Sequence, residues 1–440
     1  MLCPRFLRTA LCTAAFLALP CLAQDAQTPK PLGLAETKRI ARRDYPGIAA
    51  SAARIDAALA TIREAHAAYY PVLSVSTSAT HYQDVPSTDG GGDGHQSYAL
   101  NGTLSYLVYD GFARKFRVLA AQAGAEATRE AHREGQRLLL QAVSSAYYDC
   151  LLGRETMLVA RKDADFNQAL SEETQKRFDA GAAARSDVLN FLIRTTAAES
   201  QYVQAAYEYK IARIVLAQLM GLPRGTSPDT LAPMPLPPAQ DTLKIPVLED
   251  ELNYALAHRP DYLGTEQNVS QLKATLAATK ADFLPTVGVG AGYGWSRQGN
   301  PRFNDSRDAS SYVGIQLTWD AFTGGSTKAQ VARQEANIRS LQHSLTLARQ
   351  AIVSELRQLI ESAAVAKKQV ELQTRIQTMT EEARKLVRNE YLAGRASLTR
   401  LNEAQTDLVK AEGNLVKARI RYWKILEDIA AASAKILIER

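Results

Sequence analysis

The sequence predicts a mixed fold: a membrane β-barrel continued by a long α-helical barrel, with four strands per chain in two internally repeated halves. Three observations lead there: a duplication of a whole folding unit, pairs of uncharged strands long enough to cross a bilayer, and very long proline-free helices. The duplication is read from paired motifs. Asp44-Tyr45-Pro46 precedes Ala68-Tyr69-Tyr70-Pro71-Val72 by 25 residues, and Arg259-Pro260-Asp261 precedes Asp282-Phe283-Leu284-Pro285-Thr286 by the same 25. Tyr109-Asp110 then matches Trp319-Asp320, and Phe178-Asp179-Ala180-Gly181 matches Tyr391-Leu392-Ala393-Gly394, at offsets of 210 and 213. A period of this size is far beyond that of solenoid or propeller repeats.

The first 23 residues read as a secretory signal peptide. Arg5 and Arg8 form a basic start, Leu11 to Leu19 an apolar run, and Cys21-Leu22-Ala23 a small-x-small cleavage site before Gln24. Pro20 stands where a lipoprotein signal needs a small residue before Cys21, which argues against lipid anchoring. Removing the segment takes three of the four cysteines, so Cys150 is left without an intrachain partner. It also lowers Lys+Arg from 52 to 50 against 46 acidic residues, a net charge of +4 and no nucleic-acid footprint.

The first repeat covers 34–222. It opens with an amphipathic helix, 34–66, broken at Pro46. Strands follow at about 72–82 and 97–109, where Leu100, Gly102, Leu104, Tyr106 and Val108 alternate with Asn101, Thr103 and Ser105. No proline lies between Pro86 and Pro223, which allows long helices at 113–180 and 186–219. At 1.5 Å per residue the first would reach roughly 100 Å. A seam runs through Leu140, Val143, Tyr147, Cys150 and Met157, interrupted at Arg154. A second runs from Val188 through Phe191, Thr195, Ala198, Tyr202, Ala205, Tyr209 and Ala212 to Leu216.

Seven of the 17 prolines crowd into 223–246, a linker poor in regular structure. The second repeat, 247–440, again opens with a broken helix, 248–281, interrupted at Pro260. Strands fall at about 286–296 and 311–319. In the former Val287, Val289, Ala291, Tyr293 and Trp295 alternate with glycines, and in the latter Val313, Ile315, Leu317 and Trp319 share one face. Long helices at about 326–390 and 397–435 complete it. The last steps by 3 and 4 through Leu401, Ala404, Leu408, Ala411, Leu415, Ala418, Tyr422, Ile425 and Ile429.

Helices of this kind alone would suit a soluble bundle or coiled coil, and the strands an ordinary sheet packed on them. The strands decide against this. Each is about 10 residues long without an internal Asp, Glu, Lys or Arg, the length that spans a bilayer when tilted. Four strands cannot close a barrel, and an open edge in lipid leaves backbone groups unpaired. Three chains would supply twelve strands.

With these motifs in place the chain resembles the TolC-like outer membrane factor family, the trimeric exit ducts of Gram-negative tripartite exporters. The marks are the Pro-ended helix–strand junctions and two glycine-centred turns. One runs from Phe178 through Gly181 to Asp187-Val188-Leu189, the other from Tyr391 through Gly394 to Leu401-Asn402-Glu403-Ala404-Gln405. The resemblance implies an outer-membrane location reaching into the periplasm, a homotrimer, and a passive channel without enzymatic activity. It implies as partners a periplasmic adaptor, an inner-membrane ABC or proton-driven transporter, outer-membrane lipid, and an exported protein or small molecule. Gly181 and Gly394 would be the glycines of the periplasmic tip turns. Asp187 and Tyr391 would be the hydrogen-bonding latch of the closed state, with Ala396 where a reinforcing basic residue often stands. Arg400 and Glu403 would form an inner gate ring of mixed charge, although the pair equally suits a solvated helix face.

The competing reading is a periplasmic coiled-coil scaffold or adaptor without a pore. Neither reading calls for a cofactor. The six histidines show no i, i+4 pairing, and no GxSxG or Walker loop occurs, so metal, esterase and ATPase chemistry are not indicated.

Overall fold

The computed structural model describes residues 32–82, 95–222, 233, 245–299 and 306–438. The expected signal peptide and most of the linker lie outside the described residues. In chain order the first half reads α1 (Leu34–Asp44), α2 (Pro46–Ala67), β1 (Val72–Tyr82), β2 (His95–Tyr109), α3 (Ala113–Asp179) and α4 (Arg185–Leu219). The second reads α5 (Leu248–His258), α6 (Pro260–Ala281), β3 (Thr286–Gln298), β4 (Ala309–Thr318), α7 (Ser326–Leu392) and α8 (Leu398–Ala432), with 3-10 turns at Ser306–Asp308 and Lys435–Leu437. Corresponding helices have equal lengths of 11, 22, 67 and 35 residues in both halves.

The helices read as 34–66 and 248–281, broken at Pro46 and Pro260, are each two helices. Pro46 and Pro260 sit at the first helical position, where a missing N–H costs nothing, and Tyr45 and Arg259 before them are extended. Several strand boundaries differ from the sequence expectation, each for a local reason. Strand β2 starts at His95 because the Tyr82–His95 pair extends the ladder, and β3 runs to Gln298 opposite Ser97. Strand β4 is shifted toward Ala309, which pairs with Trp295. Trp319 leaves the ladder, and its indole donates to the Phe283 carbonyl at 3.2 Å. Helix α8 is framed by Ser397 as N-cap and by Ala434, whose φ of 64° turns the chain into the final 3-10 turn.

The four strands form one antiparallel sheet in the order β1-β2-β3-β4. The β2–β3 pairing joins the two halves, and β1 and β4 are the edges. Register sorts the side chains onto two faces. Leu73, Leu104, Ala291 and Val313 are matched across all four strands, with Val289 opposite Ile315 and Val287 opposite Leu317 beside them. The opposite face carries Ser74, Thr103, Gly292 and Tyr312 in the same cross-strand sense. One face is thus apolar and the other hydroxyl- and glycine-lined, although both are open to solvent in the single chain.

Helix α3 packs along α2 and α6 and also along α4 and α8, while α7 packs along α6 and α8. The long α3 and α7 therefore run through two tiers. The tier nearer the strands is ordered α2-α3-α6-α7 and the other α4-α3-α8-α7. Among the described residues no helix is long and apolar enough to cross a membrane. The predicted α4 and α8 seams are buried or half-buried at every position. The α3 seam holds too, and its interruption has a cause: Arg154 donates to the carbonyl of Pro233 at 3.0 Å. Gly153 lets α4 approach closely, since a Cβ there would stand 3.0 Å from the Tyr209 Cα.

The largest core lies where the tiers meet, around Val143, Tyr147, Cys150, Leu151, Leu216 and Met220. Burial pushes the Cys150 thiol up to about 12, so it is a packing residue rather than a nucleophile. Charges buried nearby are paired. Lys38 reaches Glu427 at 2.7 Å, and Ser144 donates to the same carboxylate at 3.0 Å. Two guanidinium groups finish α8: Arg137 donates to the Ala431 carbonyl at 3.0 Å and Arg259 to the Ala432 carbonyl at 3.1 Å. Burial would lower the Arg259 pKa, but Glu355 at 2.6 Å and Asp261 at 3.0 Å more than compensate and raise it.

The passages from strand to long helix are unlike in the two halves. After β2, Gly111 and Phe112 take left-handed conformations (φ 63° and 67°). Arg114 pairs with Asp110 at 3.2 Å, both being over nine-tenths buried. The same guanidinium donates to the carbonyls of Ala68 and Val108 at 3.3 and 3.1 Å and lies 4.9 Å from the centre of the Tyr69 ring. After β4, Gly324 and Gly325 take the left-handed positions. Structurally Asp110 then corresponds to Thr323 and not to Asp320, and Arg114 to Thr327. The two threonine hydroxyls are 3.1 Å apart.

Candidate functional site

The hairpin tips, at the end of the molecule away from the strands, hold every predicted site residue. Both helical reversals are Schellman motifs. At the first, the Gly181 N–H donates to the Phe178 carbonyl at 2.8 Å and the Ala182 N–H to Arg177 at 2.7 Å. At the second, Gly394 donates to Tyr391 at 3.0 Å and Arg395 to Glu390 at 2.8 Å. Gly181 and Gly394 have φ of 75° and 72°, a region in which any other L-residue is strained.

The helices leaving the turns start differently. Helix α8 is capped by Ser397, whose hydroxyl accepts from the Arg400 N–H at 3.3 Å. Helix α4 follows Ala184, which offers no side-chain cap, but Asp187 in its first turn puts a negative charge at the positive end of the helix. Arg400, in the first turn of α8, has the opposite charge for that position. Its guanidinium is drawn back to Glu390 on α7 at 3.5 Å.

Asp187 is half-buried, and Arg400 and Glu403 are exposed on α8. Asp187 and Tyr391 are not hydrogen-bonded to each other within the chain. Tyr391 instead lies on an apolar cluster that joins all four long helices: Leu170 of α3, Phe191 of α4, Val387 of α7 and Leu401 of α8.

Around this cluster are groups that the sequence reading did not single out. The Arg177 guanidinium of α3 lies 5.6 Å from the centre of the Tyr391 ring, and its other contact is Glu173 at 3.1 Å. The Arg384 guanidinium of α7 lies 5.5 Å from the centre of the Phe166 ring of α3. Gln405 of α8 donates to the Asp163 carboxylate of α3 at 2.8 Å. Arg177 adjoins Phe178 in the turn motif, but periodicity gives no rotational phase between helices over two hundred residues apart in sequence. Among the described residues no cluster of His, Cys, Asp and Glu could hold a metal.

The family model described as "Outer membrane efflux protein" matches residues 39–222 and 252–434, both halves of the chain. The chain belongs to the outer membrane efflux protein family. Among curated relatives, the alkaline protease secretion protein AprF of Pseudomonas aeruginosa is 26% identical, the alignment covering 96% of this chain and 86% of AprF. The outer membrane protein TolC of Escherichia coli is 22% identical over 87% of this chain and 78% of its own. The fold matches the solved outer membrane channel CmeC of Campylobacter jejuni with a TM-score of 0.79 at 13% identity, covering 98% of this chain and 94% of that one. It also matches the open-state MtrE channel of Neisseria gonorrhoeae with a TM-score of 0.73 at 19% identity, covering 91% and 88%. This efflux protein is therefore a conduit of the Gram-negative outer membrane and not an enzyme. It is the exit duct of a tripartite export or efflux system, which decides against the scaffold without a pore.

Proposed function

We propose that three copies of this outer membrane efflux protein close edge to edge into a single duct, twelve strands continued by twelve long helices. The observation that carries this is the pair of free edges. Among the described residues strands β1 and β4 have no neighbour beyond them in the sheet, and in lipid each unpaired backbone group would cost several kcal/mol. The helical edges agree. Helix α4 exposes Leu192, Ile193, Val203 and Tyr207, and α7 exposes Val365, Met379 and Leu386. Such rows on a single chain mark contact surfaces. In this arrangement the apolar sheet face meets lipid and the hydroxyl- and glycine-lined face lines the pore.

The tips are the gate. An adaptor docking there would release a closed state held partly by Asp187 and Tyr391, while Arg400 and Glu403 line the narrow end and set its ion preference. The inner-membrane transporter supplies the energy. AprF, aligned over 96% of this chain, is named for secretion of a protease, and that favours a polypeptide cargo over a small molecule.

Purified protein should need detergent and scatter light as a trimer. A stable monomer, soluble without detergent, would overturn the duct. Deleting the gene should remove a polypeptide from the culture medium. Raised sensitivity to dyes and drugs with unchanged secretion would instead assign the duct to small-molecule efflux.

A further inference from the structure

We infer that the two hairpins of one chain are fastened at the gate by a reciprocal arginine–aromatic clasp, Arg177 on Tyr391 and Arg384 on Phe166, and that this clasp sets how readily the duct opens. The inference rests on the duct reading and adds residues that the gate had lacked.

The geometry is reciprocal. The first hairpin sends a cation from α3 onto a ring of the second at 5.6 Å, and the second sends one from α7 onto a ring of the first at 5.5 Å. Both separations fall within the range in which a guanidinium is attracted by the face of a ring. The buried Nε of Arg384 has no hydrogen-bond partner among the described residues, and the Phe166 ring stands beside the same guanidinium. Between the two pairs lies the shared apolar cluster, and Gln405 to Asp163 adds a polar tie farther along the same seam.

The contacts lie wholly within one chain, so they form without a neighbouring copy. They also use a different part of Tyr391 from the latch. Arg177 engages the ring face, whereas Asp187 could engage only the hydroxyl. Ala396 puts no basic side chain at the position where the resemblance expects one to reinforce the latch. Arg177 supplies one from the other hairpin. A planar guanidinium suits this use, because it stacks on a ring while still donating to Glu173 at 3.1 Å. A clasp of this strength holds the tips closed at rest, yet an adaptor that displaces either arginine from its ring can release it.

Single-channel recording of trimers in planar bilayers separates face from hydroxyl. Arg177→Gln and Arg384→Gln should each raise the open probability by roughly two- to tenfold, and Arg177→Lys should return most of that change. Tyr391→Leu, which removes the ring face, should open the duct further than Tyr391→Phe, which removes only the hydroxyl. Heat-resistant trimers on gels establish that each variant is assembled, and Phe166→Leu repeats the test from the other ring. Assembled Arg177→Gln and Arg384→Gln trimers with wild-type currents would overturn the clasp, as would Tyr391→Leu indistinguishable from Tyr391→Phe. A trimer in which no variant ever conducts would instead overturn the duct reading, and the clasp with it.

Discussion

The two halves of this chain agree in what must reach the same place and disagree in what closes each end. Their helices match residue for residue in length, 11, 22, 67 and 35. At the strand-to-helix passage one half buries an Arg114–Asp110 ion pair where the other places two threonine hydroxyls. At the tips, the uncapped first turn of α4 holds Arg185 and Asp187, whereas α8 has a serine cap and Arg400 in its first turn. Length is constrained because both hairpins lie side by side over their whole extent. The caps act locally, so each half has solved them with different chemistry.

The comparison breaks most sharply at the passage. Arg114→Ala leaves Asp110 buried without its partner and frees the carbonyls of Ala68 and Val108, a loss of about 3–5 kcal/mol. Thr327→Ala at the corresponding place should cost no more than about 1 kcal/mol. Guanidinium unfolding of detergent-solubilised protein followed by circular dichroism measures both. Equal losses would mean that the ion pair contributes no more than a hydroxyl contact.

A second, smaller effect separates the sheet faces. Ile315→Lys places a cation on the apolar face and should cost roughly 2–4 kcal/mol if it lies near the bilayer midplane. Gln316→Lys, one residue on and facing the other way, should be mild. Urea titration of folding into lipid vesicles reads the difference, and equal folding of both variants would refute the assigned register.

The smallest effects sharpen the comparison of the tips. Gly181→Ala and Gly394→Ala should cost the same, about 1–2 kcal/mol, because neither added Cβ would have a neighbour within 4 Å and only the left-handed conformation is penalised. Ser397→Ala should cost about 1 kcal/mol at the second tip. Ala184→Ser should stabilise the first by a similar amount, making the two more alike. Hydrogen exchange at the two turns reports each tip separately.

Much of this was legible in the sequence because periodicity is a local property. Alternation of apolar residues with serine, threonine and glycine marked all four strands, and Pro46 and Pro260 marked real breaks. Spacings of 3 and 4 residues gave the buried seams of α4 and α8. The ends of elements were less legible, since they depend on pairing and caps. His95 is a strand residue only because Tyr82 lies opposite it, and Ala434 ends the last helix through a left-handed turn that its side chain does not announce. Alignment of Asp110 with Asp320 followed identity, whereas the fold counts back from the helix start and sets Asp110 against Thr323. The tip was the least legible part. Its glycines were plain, but the meeting of Arg177 with Tyr391 depends on how two distant helices are rotated about their axes.

Equal lengths also bear on how such a molecule can change over generations. A seven-residue deletion in α3 alone would draw its end back by about 10 Å, lifting Arg177 away from Tyr391 and leaving Phe191 without Leu401. The same deletion would have to occur in α4, α7 and α8 for the tips to meet again. Depth in this molecule is therefore inherited as a single quantity written in four places, and a lineage can shorten or lengthen its tube only by editing all four copies in concert.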